Sequence, residues 1–186
     1  TTGTLQEYSG KLYATWMHDK GSYADFVLQA GRYTATAKNA QGCRFIVVQD
    51  GLAELKRLVW DGIGDLLALP AEEKPRWAKL YKPFLRDAQA GKQDFLFRDA
   101  PAVAYVAAER ADDAGLAAQN MELMAAAQGL GVLFNGYLCR ASEELPAVRA
   151  FLESDERPLQ MCLLLGRPVV SYPRTAPRMP GDFIVK

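Results

Sequence analysis

The sequence predicts an α+β or α/β sandwich, with helices laid against a mixed sheet. Short β-branched or continuous apolar runs alternate along the chain with longer stretches of helical periodicity. One of those stretches, residues 114–130, is so rich in Ala, Leu and Met that its few polar residues (Gln119, Asn120, Glu122, Gln128) leave no broad wet face. This helix is expected to be buried on most sides. Its alanines would let another backbone come close, as suits the centre of a domain or a subunit interface. Asp112 and Asp113 stand where an N-cap and a first turn favour acidic oxygens. Gly129 and Gly131 are expected to end the helix, because glycine enters left-handed conformations without a side-chain penalty.

The other elements follow in chain order. Residues 1–20 show little periodicity and read as an opening helix or an irregular arm. Ser22 is a plausible N-cap for a helix over residues 23–33, with Phe26, Val27 and Ala30 at helical spacing. Residues 34–42, TATAKNAQG, form a polar loop between apolar segments, a common location for ligand contacts. Residues 44–49 (RFIVVQ) read as a strand. Residues 52–69 read as a helix on the spacing of Leu55, Leu58, Val59 and Ile63, weakened by Gly62 and Gly64 and stopped by Pro70. A second helical stretch is expected over residues 71–89, kinked or interrupted at Pro83 and closed by Gly91. The apolar run 102–108 fits a strand covered on both faces. Beyond the central helix come an extended segment at 132–134, a short helix near 145–152 and a strand over 159–165. The prolines at 168, 173, 177 and 180 leave residues 166–186 as an extended arm, expected to lie along the rest of the domain or on a partner subunit.

Composition narrows the function. The 186 residues fit one domain, 1–186, with the arm as its end. Lys plus Arg equals Asp plus Glu at 22 each, so no global field favours nucleic acid or an anionic membrane. No apolar run reaches the ~18 residues of a membrane span, no signal-peptide pattern opens the chain, and the cytoplasm is the default location. Cys43, Cys139 and Cys162 are odd in number and widely spaced, which argues for reduced core thiols and against a disulfide framework or a zinc knuckle. His18 is the only histidine, and no GxSxG, HExxH, Walker or GxGxxG pattern is present. Catalytic triads and metal hydrolysis are therefore not expected, and no metal ligands are assigned.

Three polar or basic clusters stand at the ends of apolar elements: residues 34–41, the 129–137 turn with Asn135 and Gly136, and RTAPRMP at 174–180. Together they would suit an anionic heteroaromatic ligand. Taken singly, Asn135-Gly136 reads equally well as a simple turn, and Arg174 and Arg178 as solvated charge.

The segments AGRYTATAKNAQ (30–41), APAVAYVAAER (100–110), AGLAAQNMELMAAAQGLGVLFNGYL (114–138) and LLLGRPVVSYPRTAPRMP (163–180) resemble the FMN-dependent nitroreductase family in order and spacing, over roughly residues 7–186. The resemblance implies an α+β sandwich with a mixed, mostly antiparallel sheet flanked by helices. It further implies an intertwined homodimer with one FMN at each end of the interface and tails that embrace the partner. Thr36, Asn39 and Gln41 match a loop that approaches the flavin from the other subunit, with Ala35 where proline is usual. Asn135 and Gly136 match positions whose backbone reaches the flavin's reactive nitrogen and adjacent carbonyl. Arg178 matches a C-terminal arginine that binds the FMN phosphate. At the N-terminus, where the family has Arg-Arg-Ser-x-Arg followed by an aromatic two places on, this chain offers Glu7, Tyr8, Ser9, Gly10, Lys11 and Tyr13, so that Ser9 and Lys11 keep the serine and the last cation.

The activity so implied is ping-pong hydride transfer from NAD(P)H through FMN to a nitroaromatic, a quinone or a similar acceptor. The isoalloxazine would carry the chemistry and no side chain would be catalytic. A non-catalytic or weakly flavin-binding dimer of the same fold is the alternative. A relative acting on a special substrate, such as a reductive dehalogenase or a flavin-consuming enzyme, is a third.

Overall fold

The computed structural model describes residues 23–92, 94–154, 156–169, 181 and 184. His18, the proposed cap Ser22 and most of the proline-rich arm lie outside the described residues. Among the described residues, four strands form one sheet in the order β1 (Arg44–Val48), β2 (Ala102–Ala107), β4 (Leu159–Gly166) and β3 (Gly131–Phe134). All three pairings are antiparallel, which settles the class as α+β.

The sheet separates two apolar cores, and β2 belongs to both. All six of its residues are buried, as its continuous apolar run predicts. Val103, Tyr105 and Ala107 face one core, packed with α2 (Leu52–Ala68), a 3₁₀ turn (Ala78–Tyr81), α5 (Gly136–Glu144) and α6 (Pro146–Phe151). Ala102, Ala104 and Val106 face the other, filled by α1 (Tyr23–Arg32) and α4 (Ala111–Ala127) through Val27, Ala114, Ala118 and Met121. A shift in the β2–β4 register, from Val106 opposite Met161 to Ala107 opposite Leu159, inserts Gln160 as an extra residue. This lets Leu159 and Cys162 share one core although their spacing is odd. Close approach between layers also fixes Gly31, where a Cβ would stand 2.8 Å from Phe45 and 2.9 Å from Met121.

Several sequence expectations need correction. Residues 71–89 are not one kinked helix. They form turns, the 3₁₀ segment and α3 (Lys82–Gln89), and Pro83 lies in the first turn of α3, where its missing N–H costs nothing. Helix α4 begins one residue early, with Arg110 at the N-cap and Asp112 and Asp113 in the first turn, where Arg110 pairs with both. Gly129 takes the left-handed conformation at φ +73°. Gly131 does not; it is the first residue of β3. The expected burial of α4 on most sides does not hold in the single chain, where Leu116 is 56% and Leu123 61% exposed. Helix α5 is foreseen nowhere in the periodicity.

Burial in the first core makes a pH prediction. It pushes the Cys139 thiol from 9.0 to about 12, with Glu143 adding to the effect. It also carries the Cys162 thiol and the Tyr105 hydroxyl, which is 2.8 Å from Ser142 Oγ, well above their ordinary values. The folded chain keeps these protons after the unfolded chain has released them, so their stabilisation is complete below about pH 9 and declines as pH rises further. The thermal midpoint should fall steadily from pH 9 to 11. A Cys139→Ala/Cys162→Ala variant should start lower at pH 7 but fall less steeply between pH 9 and 10; an unchanged slope would contradict the assignment.

Candidate functional site

The N-terminus of α5 is fastened from several sides. Asn135 leaves β3 and caps the helix, its side-chain oxygen accepting from the Leu138 N–H at 2.9 Å. Its side-chain amide donates to the Leu96 carbonyl at 2.6 Å, and its own N–H donates to the Cys162 carbonyl at 2.8 Å. The Asn135 carbonyl accepts from the Cys139 N–H at 3.0 Å. Asn135-Gly136 is therefore a helix start, not a simple turn, and Asn135 is only 8% exposed.

The groups that hold Asn135 are themselves held. Asp94 Oδ1 accepts from the N–H groups of Leu96 and Phe97 at 3.0 and 3.1 Å, while its Oδ2 accepts from Trp60 Nε1 of α2 at 3.3 Å. The Tyr81 hydroxyl donates to the Tyr137 carbonyl at 2.8 Å. Burial raises the Tyr81 hydroxyl to about 12, so it stays a donor across the neutral range.

Two backbone donors remain at this fixed terminus. Leu138 and Cys139 give their N–H groups to Asn135, which leaves those of Gly136 and Tyr137 outside the helical ladder at the positive end of the dipole. A Cβ on Gly136 would meet nothing within 4 Å, so open space fronts the terminus. Beside it stands an aromatic wall. Phe84 and Phe95 stack at 4.0 Å, the Tyr137 ring meets Tyr81, Phe84 and Phe95 edge-on at 5.7 to 5.9 Å, and the Arg98 guanidinium lies 4.5 Å over Phe95.

The loop before β1 is the second predicted cluster, and here three residues lock together. Thr36 Oγ1 accepts from the Gln41 N–H at 2.9 Å, and the Gln41 side-chain amide donates to Asn39 Oδ1 at 3.2 Å. Lys38, Asn39 and Gln41 all take positive φ, at 55°, 53° and 50°. Such conformations are uncommon in non-glycine residues and cost energy. Thr36, Asn39 and Gln41 are partly to fully exposed.

Within one chain the two clusters do not meet. The loop enters β1 and Asn135 leaves β3, the two opposite edges of the sheet. Three strand spacings, about 14 Å, separate those edges in the sheet direction alone. The loop is also tied elsewhere, through Asn120 to Thr34 Oγ1 at 2.8 Å and Arg157 to the Gly42 carbonyl at 3.2 Å. Ser9, Lys11 and Arg178 lie outside the described residues. Among those residues, no group of His, Cys, Asp and Glu is arranged to hold a metal.

Sequence reading missed the supporting residues Tyr81, Asp94 and Trp60 and the wall of Phe84, Phe95 and Tyr137. The signal available for the helix was Asn135 three residues before an apolar series at 138, 141 and 145, an N-cap pattern overshadowed by the Asn-Gly turn signature.

The nitroreductase family model matches residues 25–167. No curated protein matches the chain. Solved structures share the fold. An FMN-bound nitroreductase from Bacteroides fragilis is 19% identical with a TM-score of 0.67, over 88% of this chain and 87% of that one. An FMN-bound nitroreductase from Desulfitobacterium hafniense is 20% identical with a TM-score of 0.66, over 88% and 86%. A BluB-like flavoprotein from Clostridium difficile is 18% identical with a TM-score of 0.63, over 87% and 88%.

Proposed function

The chain belongs to the nitroreductase family, and on that premise we propose that it is an FMN-dependent oxidoreductase acting as a homodimer. The observation that carries the proposal is the N-terminus of α5: two backbone donors with no partner among the described residues, open space at Gly136 and a doubly braced frame. These residues fit the reactive nitrogen of a flavin and its adjacent carbonyl, which need donors fixed in advance. FMN, when bound, supplies hydride acceptance from NAD(P)H and electron delivery to a nitroaromatic, quinone or similar acceptor.

The chain's part is positioning. Gly136 and Tyr137 present their N–H groups to the cofactor edge, and Asn135, with its own N–H spent on Cys162, holds them there as the cap. The aromatic wall limits water at this end. Loop 34–41 reaches the same flavin from the second subunit, a reading supported by its distance from Asn135 within one chain and by its interlocked Thr36, Asn39 and Gln41. The open face of α4 with Leu116 and Leu123 suits the dimer contact. The arm, residues 166–186 of a single domain spanning 1–186, extends onto the partner. Among the described residues, no helix is long and apolar enough to cross a membrane, and we place the protein in the cytoplasm.

Arg178 holds the FMN phosphate, with Ser9 and Lys11 beside it. Arg178→Ala should weaken FMN binding by about 1.5–3 kcal/mol, the range for a charge-assisted hydrogen bond. Riboflavin, which lacks the phosphate, should bind wild type and variant alike. Fluorescence titration of both ligands tests this, and equal affinities of FMN for wild type and variant would remove Arg178 from the site.

A further inference from the structure

A second cavity lies between the end of α2 and the outer face of α3, apart from the helix terminus described above. It is a half-open space of about 650 Å³, against about 400 Å³ for the cavity beside β3. Its floor includes Leu67 and Leu85, and its rim carries Lys74, Lys79, Lys82 and Arg86, with no carboxylate among the described lining residues. In a chain with 22 acidic and 22 basic residues, four cations on one cavity are a local segregation of sign that composition does not impose. Lys74, Lys79 and Lys82 form no ion pair among the described residues, and Arg86 shares only Asp87, at 3.4 Å, outside the cavity lining. Four like charges around one space repel each other, a cost that an anion in that space would reverse.

The periodicity of α3 gives it two faces. Lys82, Leu85, Arg86 and Gln89 turn to this cavity, while Phe84 turns to the aromatic wall beside α5. The cavity is therefore separate from the α5 terminus and joined to it by one short helix.

We propose that this cavity binds a small organic anion with an apolar body and at least two negative charges, the chemistry of a phosphate ester. The volume lies within the range of small-molecule sites. The apolar floor receives the body, and the mobile ammonium groups gather around the charged end. The inference does not depend on flavin binding.

The test uses 1-naphthyl phosphate as probe, titrated calorimetrically into the full chain saturated with FMN, so that a flavin site is closed to it. Saturable binding of one probe per chain is expected, at least tenfold tighter than 1-naphthol and weakened by salt. Lys79→Glu/Lys82→Glu should lower affinity at least tenfold. Lys79→Arg/Lys82→Arg should keep it, and Arg32→Glu, at the end of α1 on the opposite side of the sheet, should leave it unchanged. Lys74→Gln, on a turn outside α3, should shift affinity in the same direction by a smaller factor, which guards against a folding defect in the helix variant. No saturable binding by the wild type, or equal affinity in the wild type and both the glutamate and Lys74→Gln variants, overturns the proposal. A chain that takes up no FMN but still binds the probe would leave this site standing while removing the flavin reading.

Discussion

Asn135→Ala is expected to destabilise the fold by about 2–4 kcal/mol, read as a lower urea midpoint with an unchanged slope. The loss has two parts. Removing the cap leaves the Leu138 N–H without its acceptor, worth about 1 kcal/mol for an asparagine cap. Removing the side-chain amide strands the Leu96 carbonyl in a buried setting, which adds about 1–3 kcal/mol of uncompensated desolvation. Asn135→Asp separates the two. It keeps an acceptor for Leu138 but places a carboxylate against the Leu96 carbonyl, so the second penalty remains. If α5 frays in Asn135→Ala, FMN affinity should fall with stability. An alanine variant as stable as wild type would mean that the cap and brace do not hold the terminus.

Gly136→Leu should move stability and cofactor binding in opposite directions. A Cβ there meets no atom within 4 Å, and leucine is a better helix former than glycine by up to about 1 kcal/mol. The free chain should therefore be unchanged or slightly more stable. The same side chain would fill the space in front of the two free donors, and FMN affinity should drop at least tenfold. Thermal melting of the FMN-free variant and fluorescence titration with FMN measure the two effects independently. Undiminished FMN affinity would place the flavin elsewhere than at α5.

What the sequence made legible follows from how local each signal was. Strand β2 was readable because six consecutive apolar residues can only be covered on both faces, and the two cores supply that cover. The loop cluster of Thr36, Asn39 and Gln41 was readable as a polar interruption between apolar elements, although its three positive φ values carry no glycine signature. Helix α5 was hidden because Asn-Gly is also the strongest short turn signal, and only the tertiary partners Leu96 and Tyr81 decide between cap and turn. The burial of α4 was overstated for a related reason: an apolar outer face at Leu116 and Leu123 reads the same in sequence whether its cover is the chain's own or a partner's. The cationic cavity had no sequence signal either. Its charges come from a turn, a 3₁₀ segment and a helix that periodicity merged into one continuous element.

The central claim is that this fold carries FMN and passes electrons through it, and the visible absorbance spectrum of the purified full chain tests it most directly. The account predicts a yellow protein, or one that becomes yellow on adding FMN and retains the colour through gel filtration as a dimer. It further predicts that NADH or NADPH bleaches the flavin bands and that a nitroaromatic or quinone restores them. A colourless dimer that retains no added FMN would contradict it.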